Sequence, residues 1–206
     1  MPTRIVHWLI AALVAFSWWS ATHDHLPWHR LSGYVILGLL VFRLIWGVAG
    51  SQTARFAHFL RGPRAVLAYA RGRGGAGVGH NPLGGWSIVA MLAVLIAQVG
   101  LGLFSVDEDG LEAGPLSKFV DFDTGRAIAH IHHLGFKVLL GLIALHLVAV
   151  GAYGLGGHNL TRAMITGRAA LAPDAAALRF AGRWRLVMAA AVAAGVAWFV
   201  AHGFRL

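Results

Sequence analysis

His-Ile-His-His-Leu-Gly-Phe-Lys-Val-Leu-Leu-Gly-Leu-Ile-Ala-Leu-His, residues 130–146, decides how this chain is read. It lies inside an apolar run, Ile128–Tyr153, that is long enough to cross a bilayer. At 100° per residue, His146 lies within about 40° of His132 round a helix and about 21 Å along it. Two imidazoles therefore occupy one helix face, one near each membrane surface. A histidine is costly in hydrocarbon unless it is paired or metal-bound, so these two residues set the question for the rest of the chain.

The composition answers part of it. The 206 residues are 58% hydrophobic and only 12% charged, about half the charge of an ordinary soluble domain. An integral membrane protein is implied. With no cysteine, the chain can form no disulfide, iron–sulfur cluster or covalent C-x-x-C-H haem attachment. The net charge of +9 comes from basic residues flanking the apolar runs, which is membrane orientation rather than nucleic-acid binding.

Four further apolar runs are spans of the same kind: Ile5–Ala21, Leu31–Ala49, Trp86–Phe104 and Leu186–Ala201. The first resembles a signal peptide in position, but His7, Trp18 and Trp19 and a poor cleavage site read as a retained helix. Residues 51–85 carry Arg55, Arg61, Arg64, Arg71 and Arg73 without an acid, and residues 154–185 carry five arginines against Asp174. Between them, residues 105–127 hold six acids against Lys118 and Arg126. The positive-inside rule puts the Arg-rich loops and the N-terminus in the cytoplasm of a bacterial inner membrane, with the acidic loop and the C-terminus periplasmic. Residues 56–69 read as interfacial, broken at Gly62-Pro63, and Asn81-Pro82 reads as a capped helix start.

This topology sorts the histidines by depth. His7 and His146 fall toward the cytoplasmic side, and His29 and His132 toward the periplasmic side. Each pair offers two imidazoles from different helices, as a six-coordinate haem iron requires. Two non-covalent b haems, each with two histidine ligands, are expected. His133 and His130 point about 140° and 160° away from His146 and are read as interfacial.

Arg43 follows His29 by 14 residues on the same face, where it contacts a propionate of the cytoplasmic-side haem or snorkels to the interface. Gly33, one turn after His29, leaves room for a flat macrocycle, and Gly135 and Gly141 could do likewise. His23-Asp24-His25 reads as solvated loop, and the tryptophans near span ends as interface anchors. Lys137 snorkels outward or assists a propionate or quinone.

Several stretches carry a family resemblance: Arg-Ile-Val-His-Trp (4–8), His-Arg-Leu-Ser-Gly (29–33), Arg-Leu-Ile-Trp-Gly-Val-Ala-Gly-Ser (43–51) and Ala-Arg-Phe (54–56). Gly-His-Asn-Pro-Leu-Gly-Gly (79–85), the His132/His146 pair and His-Asn-Leu-Thr-Arg-Ala-Met-Ile-Thr-Gly (158–167) complete the set. In order and spacing they resemble the bacterial di-haem cytochrome b561 family, which includes the cytochrome b subunits of nickel–iron hydrogenases. The resemblance covers roughly residues 4–168. It implies an all-α integral membrane bundle, a four-helix di-haem core exchanging electrons with the quinone pool. It makes His7, His29, His132 and His146 the haem ligands. Arg43, Arg55 and the turn containing His80 become propionate or quinone neighbours. The sequence departs from the minimal pattern in a fifth C-terminal transmembrane helix, so residues 1–168 are read as the di-haem domain and 169–206 as an interfacial linker with that helix. Its Ala- and Gly-rich stretch, residues 189–195, would dock a partner subunit, a second copy or the bundle itself.

The expected function is transmembrane electron transfer between quinone and a periplasmic redox partner, a c-type cytochrome or a dehydrogenase or hydrogenase. The acidic loop would be the docking surface for a basic partner, or an ordinary solvated loop. The alternative, taken from other members of the family, is a stand-alone superoxide:quinone oxidoreductase. Its anionic substrate would need a basic path, drawn from Arg30, Lys118, Arg126 and Lys137 across a net-negative surface.

Overall fold

The computed structural model describes residues 1–73, 82–157, 160–167 and 179–204. Eight helices follow one another: α1 (Pro2–Thr22), α2 (Leu26–Ala49), α3 (Phe56–Phe59), α4 (Pro63–Ala70), α5 (Pro82–Phe104), α6 (Phe122–Leu155), α7 (Leu160–Thr166) and α8 (Arg183–Ala201). Five of them, α1, α2, α5, α6 and α8, are long and apolar enough to span a membrane. No strand occurs among the described residues, as expected where lipid offers backbone groups no partner and helices satisfy their own.

The spans begin earlier than their apolar runs. Prolines sit in the first turns of α1 and α2, where a missing N–H costs nothing. The start of α6 is set by Asp121, whose side chain caps Thr124 N at 2.9 Å and also accepts from the Thr124 hydroxyl. These bonds hold the Asp121 carboxyl below the usual carboxylate range. Residues 56–70 form two short helices broken at residues 60–62, as the Gly62-Pro63 pair predicts. Phe56 of α3 lies where a Cβ on Gly47 would stand 2.1 Å from its ring, and the Phe59 carbonyl lies 3.0 Å from where one on Gly85 would be. Two glycines thus let α3 lie directly on α2 and α5.

Packing follows a simple plan. α1 pairs with α2, α5 with α6, and α8 with the outer side of α2. The fifth span docks on the bundle itself: a Cβ on Gly38 would meet the Ala197 Cβ at 3.4 Å, and Ala189 and Ala193 join a buried cluster with Val6, Phe42, Trp46 and Ala54. Small residues supply this close approach, because lipid gives apolar helices no hydrophobic reason to associate. A second cluster, Ile36, Leu40, Leu95 and Leu139, ties α2 to α5 and α6. Large side chains such as Trp18, Leu145, Val148 and Val187 remain exposed on the outer surface, which suits contact with lipid.

The two ends of the bundle are distinct. At one end, Arg4 donates to the Ile165 carbonyl (2.9 Å), and the backbone N–H of Gln52 donates to the Arg179 carbonyl (3.0 Å). The N-terminus and both Arg-rich segments therefore share this end. At the other end, the acidic loop folds back on the helices: Gly114 N donates to Ser105 O, Leu116 N to Leu103 O and Val106 N to Gly125 O. Glu112 pairs with Arg30, and Lys118 donates to the Gly203 carbonyl just past α8. This loop is tied down along much of its length. The end of α8 lies beside it, as an odd number of spans demands.

Candidate haem centres

Between the α1–α2 pair and α6 lie the four core histidines. His29 of α2 and His132 of α6 face each other with ring centroids 6.1 Å apart and planes at 88°. His7 of α1 and His146 of α6 stand 6.4 Å apart at 54°. A metal–imidazole nitrogen bond of about 2.0–2.1 Å, with each nitrogen about 1.2 Å from its ring centre, puts two axial imidazoles of one iron roughly 6.3 Å apart, centre to centre. Both gaps have that width. The donor set of neutral imidazoles is the one a six-coordinate haem iron takes.

The first pair is anchored from behind. His132 Nδ1 lies 2.9 Å from the Gln98 carbonyl, and His29 Nδ1 2.9 Å from the Ser17 carbonyl. A carbonyl only accepts, so each Nδ1 carries the proton and each Nε2 keeps its lone pair free for a metal. This is the carbonyl–imidazole arrangement that orients metal-binding histidines generally. Gln98 acts twice: its side-chain Nε2–H donates to the His132 backbone carbonyl at 2.9 Å, so α5 and α6 clasp each other at this level. The Ser17 hydroxyl adds a contact to His29 Nδ1 at 3.0 Å. Gly102 of α5 leaves room for the His132 ring, because a Cβ there would come within 3.1 Å of its Cε1.

The second pair has no such support. His7 Nδ1 is buried without a hydrogen-bond partner among the described residues. Beyond it, Arg43 is buried, donates to the Ala54 carbonyl at 3.3 Å and lies over the Phe56 ring at 4.6 Å. That location is not a snorkelled one. Among the described residues the Arg43 guanidinium meets a carbonyl and a ring, and five N–H donors of this kind suit an acidic group such as a haem propionate. Arg55 is exposed, and its Nε–H donates to the Gly50 carbonyl at 2.8 Å.

The other sequence expectations divide. Gly33 has open space where a Cβ would stand, one turn from His29. Gly135 does not: the Gln98 Oε1 lies 2.6 Å from its would-be Cβ, so the room belongs to that side chain. Gly141 is exposed on the outer side of α6 and offers nothing to the interior. His130, His133 and Lys137 are exposed. His23 Nδ1 bonds the Trp19 carbonyl, and no cluster of three metal-ligating side chains occurs among the described residues. His80 and Asn81 lie outside the described residues. Gln98, Ser17 and Gly102 escape the sequence reading, since two of them hold the rings through main-chain carbonyls and the third by having no side chain.

An all-helical membrane bundle with imidazoles paired across its interior is the architecture of a membrane cytochrome b. The chain belongs to the prokaryotic cytochrome b561 family, whose model matches residues 1–167. It is thus a multi-pass membrane protein of a family that binds b-type haem and transfers electrons across the membrane. Comparison with curated proteins and with solved structures gives no significant match.

Proposed function

We propose that the protein conducts electrons between the membrane quinone pool and a periplasmic redox partner through two b haems, one held by His7 and His146 and the other by His29 and His132. The observation that carries this reading is the pair of ring separations, 6.4 and 6.1 Å, each the width of one axially ligated iron. Haem held by His7 with His146, and by His29 with His132, would supply reversible one-electron chemistry at each pair. The protein's own task is to hold four imidazoles by depth, about 21 Å apart along α6, so that an electron has two stations across the bilayer. Arg43 answers a propionate of the His7/His146 haem, and Gly33 leaves the macrocycle its space. The Arg-rich end lies in the cytoplasm, and the acidic loop faces the periplasm as the docking surface for a basic partner. Pairing of Arg30 with Glu112 withdraws a cation from the path a superoxide-oxidising enzyme would need, which favours the conduit.

Pyridine haemochrome analysis of the purified protein tests the reading. It should give two extractable b haems per chain with low-spin spectra. One haem, or none, would refute it.

A further inference from the structure

On α6, Arg126, His130, His133 and Lys137 are all exposed, at positions that fall within an arc of about 60° round the helix. This arc lies about 150° from the His132/His146 face, so it looks away from the bundle. Arg126 lies 5.7 Å over the Phe122 ring, and His133 has the His132 ring 6.3 Å away. Neither Arg126 nor Lys137 has an ion pair among the described residues, although Asp123 lies one turn above Arg126. α8 packs on α2 and leaves this face of α6 uncovered.

The depth of the stripe can be read from its neighbours. Trp18 meets Phe136 with ring centroids 6.0 Å apart, so Lys137 is level with the tryptophans Trp18, Trp19 and Trp28 near the ends of α1 and α2. Tryptophans of that kind mark the headgroup region. From Phe136 to Tyr153 is about 26 Å of helix, close to the thickness of a bilayer's hydrocarbon. The first turns of α6 therefore rise out of the membrane. Helical side chains lean toward the N-terminus, which brings the Lys137 ammonium up toward His133 and His130. Below the stripe, Gly141 and Ala144 continue the same face as a shallow trough.

We infer that this stripe is a binding site for an anionic phospholipid, its phosphate held by His130, His133 and Lys137 and its acyl chain laid over Gly141 and Ala144, while Arg126, higher on the same face and turned toward Phe122, adds a second positive charge at longer range. Charge complementarity selects the occupant. A second copy would bring cation against cation, and a zwitterionic headgroup offers no net charge to answer two fixed cations. The site also stands at the acidic-loop end, where basic residues are otherwise scarce, so membrane orientation does not account for it.

Native mass spectrometry of the haem-loaded protein, exchanged into phosphatidylcholine alone or mixed with phosphatidylglycerol, tests the site. The protein should retain phosphatidylglycerol over phosphatidylcholine by about tenfold or more, as two basic residues at a membrane surface would give. Arg126→Gln with Lys137→Gln should abolish the preference, and Arg71→Gln with Arg73→Gln, at the other end, should keep it. Equal retention of the two lipids by the wild type overturns the proposal, and needs no variant. Displacement by inorganic phosphate would show a free-anion site and also overturn it. Because the chain lacks cysteine, His133→Cys can carry a single photo-cross-linker in native membranes. Cross-linking to phospholipid supports the site, and cross-linking to a polypeptide shows that a partner helix covers it instead.

Discussion

The two histidine pairs are built from the same residue type at the same spacing, yet they are held differently. Behind His29 and His132 stand the Ser17 and Gln98 carbonyls, which fix the proton and the ring before any ligand arrives. Behind His7 the described residues offer no partner for a buried Nδ1, and among them the buried Arg43 guanidinium donates to the Ala54 carbonyl. One pair has main-chain carbonyls behind both rings, and the other has none behind His7 among the described residues. A carbonyl on the distal nitrogen also raises ligand basicity, so the two sites should differ chemically as well as in position.

Removing a ligand gives the largest effect. His132→Ala should drop the haem count from two to one, because α6 then offers the His29 side nothing at the right angle. The His7/His146 haem should stay. His133→Ala should leave both in place, since its ring is exposed on another face. Haemochrome counts and reduced-minus-oxidised spectra decide this, and loss of one haem in the His133 variant with the His132 variant silent would reverse the assignment.

Next comes crowding. Gly102→Leu drives a side chain into the His132 ring and should cost about 1–3 kcal/mol, as overpacking does, at that site alone. Selective loss of the haem beside the acidic loop is the expected result, read by haem retention during purification. Equal loss from both sites would mean that the whole bundle, not one pocket, had shifted.

A milder change sharpens the comparison. Gln98→Leu keeps the backbone carbonyl that accepts from His132 but removes the amide that ties α5 to α6. A loss of about 1 kcal/mol, typical of one hydrogen bond, should appear as weaker haem retention and a shifted midpoint potential at the His29/His132 site. Redox titration should find the other haem unmoved.

The smallest effect concerns the Asp121 cap. Its carboxyl lies below the ordinary range in the folded protein, so its contribution is complete above the usual carboxylate pKa of about 4. It is lost as the pH falls through the lowered folded value. The protection factor of the Thr124 amide, its exchange rate relative to the intrinsic rate at the same pH, should therefore fall only in acid, with the haem spectra unchanged. Protection already falling at neutral pH would show that another group holds this turn.

Much of this could be read from the sequence, for reasons that can be named. Apolar runs and arginine-rich loops report the spans because the bilayer imposes one length and one sidedness. The depth order of His7, His29, His132 and His146 follows from counting along straight helices. The start of α5 at Pro82 is legible from its proline, but those of α2 and α6 are not, because proline in the first turn of α2 and capping at Asp121 act through the backbone, which hydropathy ignores. Gln98 looked like one polar residue in an apolar span, with nothing local to show that its carbonyl would meet a ring on α6. Arg43 has two readings, propionate contact or snorkelling, and its burial beside Phe56 depends on α3, which counting along α2 does not reveal.

The packing of α8 on α2 has a consequence for biogenesis. Gly38 offers its bare backbone to Ala193 and Ala197, which belong to a span made after the other four. Until that span is inserted, the second helix must sit with this flank against lipid, its partner still untranslated. The pairs α1–α2 and α5–α6 can form as neighbours emerge, but this seam closes only once synthesis has passed α8. The Lys118 contact to the Gly203 carbonyl then fastens the segment just past α8 to the acidic loop, so a contact that must wait for α8 lies at the proposed docking surface.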